Sequence, residues 1–489
     1  MSTKKFGYTL TIIGLVGIVL SLLVDVIGLG DDGIGASQLL VLLLGVVISL
    51  FGVSLAFAYP EKQLDLLESV RTGYRRLLSL PVAVWVAVGF LVVYILLFLF
   101  PVFLNSQRSI IYFNRYIPDK YPIGLDLNIT MGVVTPWITT GQSPYPHLFY
   151  PPLTYVLFAP MALISYPASY VLITFMTLFS YCSLAILAVL LIAPKQDYTL
   201  IALFFLSGVF SYGFQFELER GQFNLITFFL CMFSIYIFYR YHEFRYLAYL
   251  LFSISIHIKI YPAIFILMFI RDWRDWKVNI MRLGGLGLFN FALLFVLGYQ
   301  NFLGFMNAVL GQMRAPGWSW NGNHSTQAFV FNLLKDGYGL IPPDTLAFLQ
   351  ENANHIVSLL LMIILGCVFS VVIRAYLLKE NGFNPLVFLV CTLGALIIPT
   401  SNDYTLPILV APIAIFFCSL PAIDSFRSRP LSILLILVIS IAYSSILYPF
   451  KYKPYFLNNS FPPLLLILLA VTCLYFLRNR LSAFKNDPL

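Results

Sequence analysis

Asp126, in the stretch PIGLDLNITMGVV, stands at the start of a helix-like pattern. A helix start favours an acidic side chain whatever its role, because the first backbone N–H groups are unpaired and carry partial positive charge. The same carboxylate can also take a proton from a hydroxyl within hydrogen-bond reach. Lys259, in ISIHIKIYPAIF, is an isolated cation inside an apolar run of 25 residues (246–270), with His257 beside it and no carboxylate near in sequence. Such a group is a functional candidate by default, with snorkelling of its ammonium to the surface as the plain alternative. FELERGQFN places Glu217, Glu219 and Arg220 at one turn, where a structural salt bridge and a substrate role are both open. In NGNHS, His324 precedes a helix cap whose N–H groups favour an anion, and otherwise it is a loop histidine. Asp403, in TSNDYTLP, reads as a turn residue at a span boundary, and His242 and His355 read as interface residues.

The elements that must position these groups are membrane helices. The chain has 489 residues, 60% hydrophobic and 10% charged, with a mean hydropathy of +0.89. Soluble domains carry about 25% charged residues, so the length implies one polytopic membrane protein and not several soluble domains. Runs such as 6–28, 38–59, 81–104 and 169–192 match a hydrocarbon core roughly 30 Å thick. The net charge of +8 is a topology signal and gives no indication of a nucleic-acid partner, since 20 of the 29 Lys and Arg fall in alternate connectors. The positive-inside rule puts those connectors, and both termini, in the cytoplasm. The six cysteines lie in apolar runs without CxxC or metal spacing, and read as small core hydrophobes. Lys4-Lys5 and the run behind them resemble a signal peptide, but the run is long and a second apolar run follows, so a retained span is expected.

With the N-terminus inside, a hairpin (about 6–28 and 38–59) leads through a cytoplasmic amphipathic segment, 60–80, to a span at 81–104. Spans are expected next at 168–193, 199–216 and 222–240. Residues 246–270 lie between two basic clusters, so a single span would place one cluster outside. Two half-helices meeting at His257–Pro262 keep both inside, and Pro262 supplies the break. Such irregular backbone is tolerated at membrane depth where it lines a cavity or is covered by protein. Further spans are expected at 280–298, 355–378, 384–399, 404–420, 431–448 and 462–478. No internal repeat is visible.

Two long outer loops result, about 105–167 and 299–355. In the first, Leu127, Met131, Val134 and Ile138 form one stripe of a helix lying flat on the membrane, fraying at Pro136 and stopped by Gly141. PPLTYVLFAPMALI (151–164) has 14 residues, roughly 21 Å of helix, and suits a dipping juxtamembrane helix. In the second, NFLGFMNAVLGQM and STQAFVFNLL repeat the device, with Ser325 as N-cap. The candidate groups then gather at one membrane face as an outer carboxylate with several cationic or anion-binding groups. No Gly-rich phosphate loop, HExxH or Ser-His-Asp order accompanies them, and the first outer loop holds no DxD-type acidic pair. This set suits group transfer from a donor whose leaving group is a lipid phosphate, and no metal or other cofactor is expected.

The order GLDLN…TGQSPY…YPPLTYVLFAPMALI, ERGQFNLITFFL, IHIKIYPAIFILMFIRDWRDW, NGNHSTQAFVFNLL resembles glycosyltransferase family 87, over about residues 81–420. These are integral membrane enzymes of mannosyltransferase type, in the GT-C class. The resemblance implies an all-α GT-C fold with about 13–14 transmembrane or half-membrane helices. It divides the chain into an N-terminal hairpin and linker (1–80), a catalytic module (81–420) and a C-terminal hairpin (421–489). It implies a polyprenyl-phosphate sugar donor, a glycan or glycolipid acceptor, and inverting hexose transfer, mannose above others. The expected setting is the extracytoplasmic face of a prokaryotic cell membrane, for cell-envelope glycan synthesis. By resemblance Asp126 is the general base, and Lys259, His324 and Arg220 hold the donor phosphate. Tyr145, Tyr150, Gln222, Asn224, His257, Tyr261, Asn323, Ser325, Asp403 and Tyr404 are expected around the substrates. His257 occupies a position that the family pattern usually fills with a small residue. A flippase or transporter of lipid-linked glycans would also use an intramembrane cation and a broken helix. An O-antigen-type polymerase would centre on paired outer arginines.

Overall fold

The computed structural model describes residues 3–23, 45, 48–49, 123–146, 148–193, 198–209, 211–314, 323–335, 341–377, 382–397 and 401–419. Most of the second expected span (38–59), the 60–80 segment, the 81–104 span, the first part of the first outer loop and the segments after 419 lie outside the described residues. Among the described residues the fold is all helix, with one isolated antiparallel bridge between Asn323 and Asn402.

Helix α1 (Thr3–Leu23) meets the described part of the second apolar run closely. Gly14 and Gly45 approach so tightly that a Cβ on either would strike the opposite backbone. Helix α2 (Leu125–Thr140) is the flat helix of the first loop. It buries Leu127, Met131 and Val134 but leaves Ile138 exposed. It also runs through Pro136 without stopping, and ends at Gly141, whose φ of 72° is cheap only without a side chain. The stripe therefore ends one turn early: Ile138 edges a shallow apolar cavity of about 490 Å³, lined also by Trp137, Val156, Ala159, Pro160 and Leu163. The far wall of that cavity is α3 (Pro152–Phe158) with the 3₁₀ segment Ala159–Leu163.

Helices α4 (Tyr166–Ile192) and α13 (Ala353–Leu377) are each long and apolar enough to cross a membrane. So are α6 (Tyr212–Arg220) and α7 (Asn224–Arg240) taken together, although the pair bends by 106°. The protein is thus an integral membrane protein. Some expected spans are shorter than their apolar runs suggest. The run at 199–216 is divided into α5 (Tyr198–Val209) and α6, because the Ser211 hydroxyl caps a new helix at the Phe214 N–H. Helix α14 (Pro385–Ile397) starts at the expected place, where Asn384 accepts the N–H groups of Leu386 and Val387. The 404–420 run opens as the 3₁₀ segment Asp403–Leu409 before α15 (Val410–Cys418). Hydropathy counts apolar length across such breaks, but the backbone does not continue through them.

The 246–270 run folds as two pieces. Helix α8 (Arg245–Ile258) stops at Lys259, whose backbone is extended (φ −145°, ψ 138°), and a 3₁₀ segment, Tyr261–Phe269, returns beside it. The rings of Tyr249 and Phe252 pack on Phe269 at 5.8 and 4.5 Å, which a straight helix would separate by several turns. The end of α7 joins them: Phe238 packs on Phe269, and the Tyr239 hydroxyl donates to the Ile270 carbonyl. Arg240, Arg245 and Arg271 therefore cluster at one end of the bundle, and Lys259 sits at the other. After α9 (Trp276–Leu293), α10 (Tyr299–Arg314), α11 (Thr326–Leu334) and α12 (Pro343–Glu351) form the second loop's helices, with Ser325 capping α11 through the Ala328 N–H.

Candidate active site

The site is built on the corner between α6 and α7. Gly221 ends α6 with φ 61°, and the Gly221 and Gln222 N–H groups return to the carbonyls of Leu218 (3.1 Å) and Glu217 (3.0 Å). This is a Schellman closure, which turns the chain sharply. The Glu217 carboxylate, fully buried, then accepts from the Leu225 N–H (2.9 Å) and the Asn224 side-chain amide (3.0 Å), so it caps the helix that follows. ELERGQFN is thus a buried corner with its own helix, and not an exposed turn between two spans.

Helix α2 docks on this corner through two glycines. Gly124 (φ 76°) donates its N–H to the Glu219 carbonyl at 2.6 Å, and its Cα lies 3.4 Å from where a Gly221 Cβ would stand. A Cβ on Gly124 would collide with the Tyr166 hydroxyl, which donates to the carbonyls of Ile123 and Gly124. The docking aims Asp126 at the corner. The N-cap residue, Gly124, supplies no side-chain cap, and the Asp126 side chain in the first turn reaches the corner. Its Oδ1 lies 3.3 Å from Arg220 Nη1, and its Oδ2 accepts from Gln222 Nε2.

Lys259 reaches the same place from the break in the α8 hairpin. Its Nζ donates to Gln222 Oε1 at 2.9 Å and to the Tyr150 hydroxyl at 3.3 Å. The ammonium also stands 4.8 and 4.9 Å from the ring centres of Tyr150 and Phe223, within cation–π range. Asp126, Arg220, Gln222, Lys259 and Tyr150 thereby form one connected network. Asp126 and Arg220 keep 21% and 14% of their side chains open, so the network borders an accessible space. Arg220 is shared, because its Nε is 3.4 Å from Glu219 Oε2 while its guanidinium carbon lies over the Phe216 ring. Burial pushes the Asp126 carboxyl above the usual carboxylate range, and the Gln222 hydrogen bond and the Lys259 charge only partly offset it.

The remaining candidates make contacts of their own around this network. His324 is fully buried and pairs through Nε2 with Asp403, itself fully buried, so a donor phosphate would have to displace that carboxylate to reach it. Asn323 accepts from the Ser325 and Ser401 N–H groups, and the His324 N–H bonds the Ser401 carbonyl. Together these lace segment 323–325 to segment 401–403. Tyr404, next in the chain, packs on Phe216 at 5.3 Å, and a Cβ on Gly213 would strike the Asp403 carbonyl, so the lacing bears on α6. His257 is buried with Nε2 3.2 Å from the Asn290 carbonyl. The Tyr145 hydroxyl donates to the Tyr150 carbonyl, and that of Tyr261 to the Asn224 carbonyl.

The sequence alone does not reveal three contributors. Phe223 forms one wall of the Lys259 cage, and Gly124 and Gly221 allow the close approach; both glycines stand beside residues already singled out, but nothing local marks their φ. The first outer loop offers Asp126 no acidic pair of its own, but α6 brings a second carboxylate, Glu219, within electrostatic reach of it. Among the described residues no three His, Cys, Asp or Glu side chains converge as metal ligands would.

No curated protein and no solved structure matches the chain with significant similarity. The family model of glycosyltransferase family 87 matches residues 148–399, just over half of the chain. The match is narrower than the expected 81–420: it contains Arg220, Gln222 and Lys259 but not Asp126, Tyr145, Asp403 or Tyr404. With the corner and the lysine hairpin both inside the matched region, the chain belongs to glycosyltransferase family 87 and is a membrane glycosyltransferase, acting between a sugar donor and a glycan acceptor.

Proposed function

We propose that the protein transfers a hexose, mannose first among the candidates, from a polyprenyl-phosphate sugar to a lipid-linked or cell-envelope glycan, with inversion. The observation that carries this reading is the network in which one partly open carboxylate, Asp126, lies against two cations, Arg220 and Lys259, at the end of the bundle opposite the basic cluster. Basic connectors face the cytoplasm, which supports an extracytoplasmic site. Asp126 takes the proton of the acceptor hydroxyl as its oxygen attacks the anomeric carbon. The bond from that carbon to the phosphate oxygen breaks, and the lipid phosphate leaves as a monoester stabilised by Lys259 and Arg220. A carboxylate paired to a guanidinium is a weak base. Arg220 also borders Glu219 through Nε, so an arriving phosphate can draw the Nη1 end from Asp126 while the Nε end stays beside Glu219. The cations supply the charge stabilisation without a metal, and metal-independent transfer belongs to the proposal.

The test is transfer of radiolabelled mannose from polyprenyl-phosphate-mannose in membranes containing the protein, with the anomeric configuration of the product determined. A β-linked donor is expected to give an α-mannoside. Absence of transfer from every polyprenyl-phosphate hexose, with transfer from a nucleotide sugar instead, would overturn the donor assignment.

A further inference from the structure

We infer that Gln222 is a positioning residue that couples the base to the cation, so that Asp126 and Lys259 are set as one unit by a single side-chain amide. This rests on the proposed role of Asp126. Lys259 offers only donors, so the Gln222 oxygen must face it, and the amide nitrogen is thereby directed at Asp126, which as a carboxylate only accepts. The two contacts fix the amide orientation without reference to any other group. The residue itself has little freedom to move, because Gln222 is buried and its backbone N–H closes the α6 corner on the Glu217 carbonyl. Sequence separation is large on both sides, 96 positions to Asp126 and 37 to Lys259, so this side chain is where three separate elements meet.

The arrangement has a consequence that a packing role lacks. A hydrogen bond donated to the ionised form of a carboxyl favours ionisation, and Gln222 thereby opposes the burial that pushes the Asp126 carboxyl upward. The other groups facing Asp126 are Arg220 and Glu219 on α6, Lys259 at the hairpin tip and Tyr404 beyond the 323–403 lacing. Removing the amide leaves these in place and raises the pH at which Asp126 ionises. Glutamate at 222 goes further. It is isosteric and still accepts from Lys259, but it sets a carboxylate against Asp126, and two carboxylates sharing a site push one ionisation strongly upward.

The experiment compares wild type, Gln222→Ala, Gln222→Glu and Asp126→Asn. It measures turnover against pH with polyprenyl-phosphate-mannose, and binding of polyprenyl phosphate to the purified proteins. Gln222→Ala is expected to lower turnover at neutral pH by about tenfold or more and to move the acid limb up by about one pH unit, the effect of one lost hydrogen bond to a charged group. Gln222→Glu is expected to move the limb further, and both variants are expected to bind polyprenyl phosphate, since Lys259 and Arg220 remain. If Asp126→Asn is inactive while Gln222→Ala keeps the wild-type turnover and limb, the coupling is overturned and the base assignment stands. If both Gln222 variants lose phosphate binding and turnover together with the limb unmoved, the residue is only structural and the proposal is wrong. Full activity in Asp126→Asn overturns the base assignment and this inference with it.

Discussion

Phe252 and Phe269 stand 17 positions apart in sequence, yet their ring centres are 4.5 Å apart. The contact requires the chain to reverse at Lys259. It places the lysine at the tip of a hairpin whose two ends carry Arg245 and Arg271, and the charge pattern of the sequence predicts the same reversal.

Topology is read by impermeant thiol labelling. Asn128 and Arg274 are both exposed, on α2 and beyond the hairpin return. Asn128→Cys is expected to react with a reagent added outside and Arg274→Cys only after the membrane is opened. Labelling of Arg274→Cys from outside contradicts the re-entrant reading.

Lys259 and His324 are expected to fail differently. Lys259→Met keeps the stem and removes the cation, so the protein inserts and folds while polyprenyl-phosphate affinity and turnover drop. His324→Ala leaves Asp403 buried without its partner, a loss on the order of 3–5 kcal/mol. Thermal unfolding in detergent is expected to shift down clearly for His324→Ala and little for Lys259→Met. The reverse order would return His324 to the phosphate site.

Gly221→Ala tests the docking of α2. A left-handed backbone costs a side-chain-bearing residue roughly 1–2 kcal/mol, and the new Cβ would stand 3.0 Å from that of Leu127. Asp126 is expected to shift from Arg220 and Gln222, with turnover falling more than expression. A fully active Gly221→Ala would show that this approach does not set the base.

The sign of the pH dependence follows from burial. Asp126 acts ionised, and its carboxyl is pushed above the ordinary range. Turnover is therefore expected to be full above that raised value and to fall as the pH drops through it, at a higher pH than an exposed aspartate would give. Lys259→Met removes a neighbouring positive charge and moves the limb higher still. A limb at or below the ordinary aspartate range would mean that another group limits the rate.

Much of this was legible in the sequence because it is local. The Ser325 cap, the buried side of the Leu127–Val134 stripe, the break before Pro262 and the stranded charge at Lys259 each announce themselves within a few residues. The long-range pairings do not. Asp126 looks like a helix-start acid until α2 is seen docked on Gly221, and nothing around His324 in sequence announces its pairing with Asp403, 79 positions on. The division of 199–216 into α5 and α6 was hidden for another reason: a single hydroxyl, Ser211, restarts the helix without interrupting the apolar run.

The central claim is that Asp126 removes the acceptor proton during a single displacement, and Asp126→Asn tests it most directly. Asparagine keeps the size of the side chain and can still bond at the α6–α7 corner, but it does not accept the proton. Mannose transfer from polyprenyl-phosphate-mannose is expected to fall at least about 10²-fold, the lower end for loss of a general base, with polyprenyl-phosphate binding retained and the wild-type product inverted at the anomeric carbon. Wild-type turnover in Asp126→Asn, or a wild-type product that keeps the donor's configuration, would contradict the account; in the second case Glu219 is the first residue to test as a nucleophile.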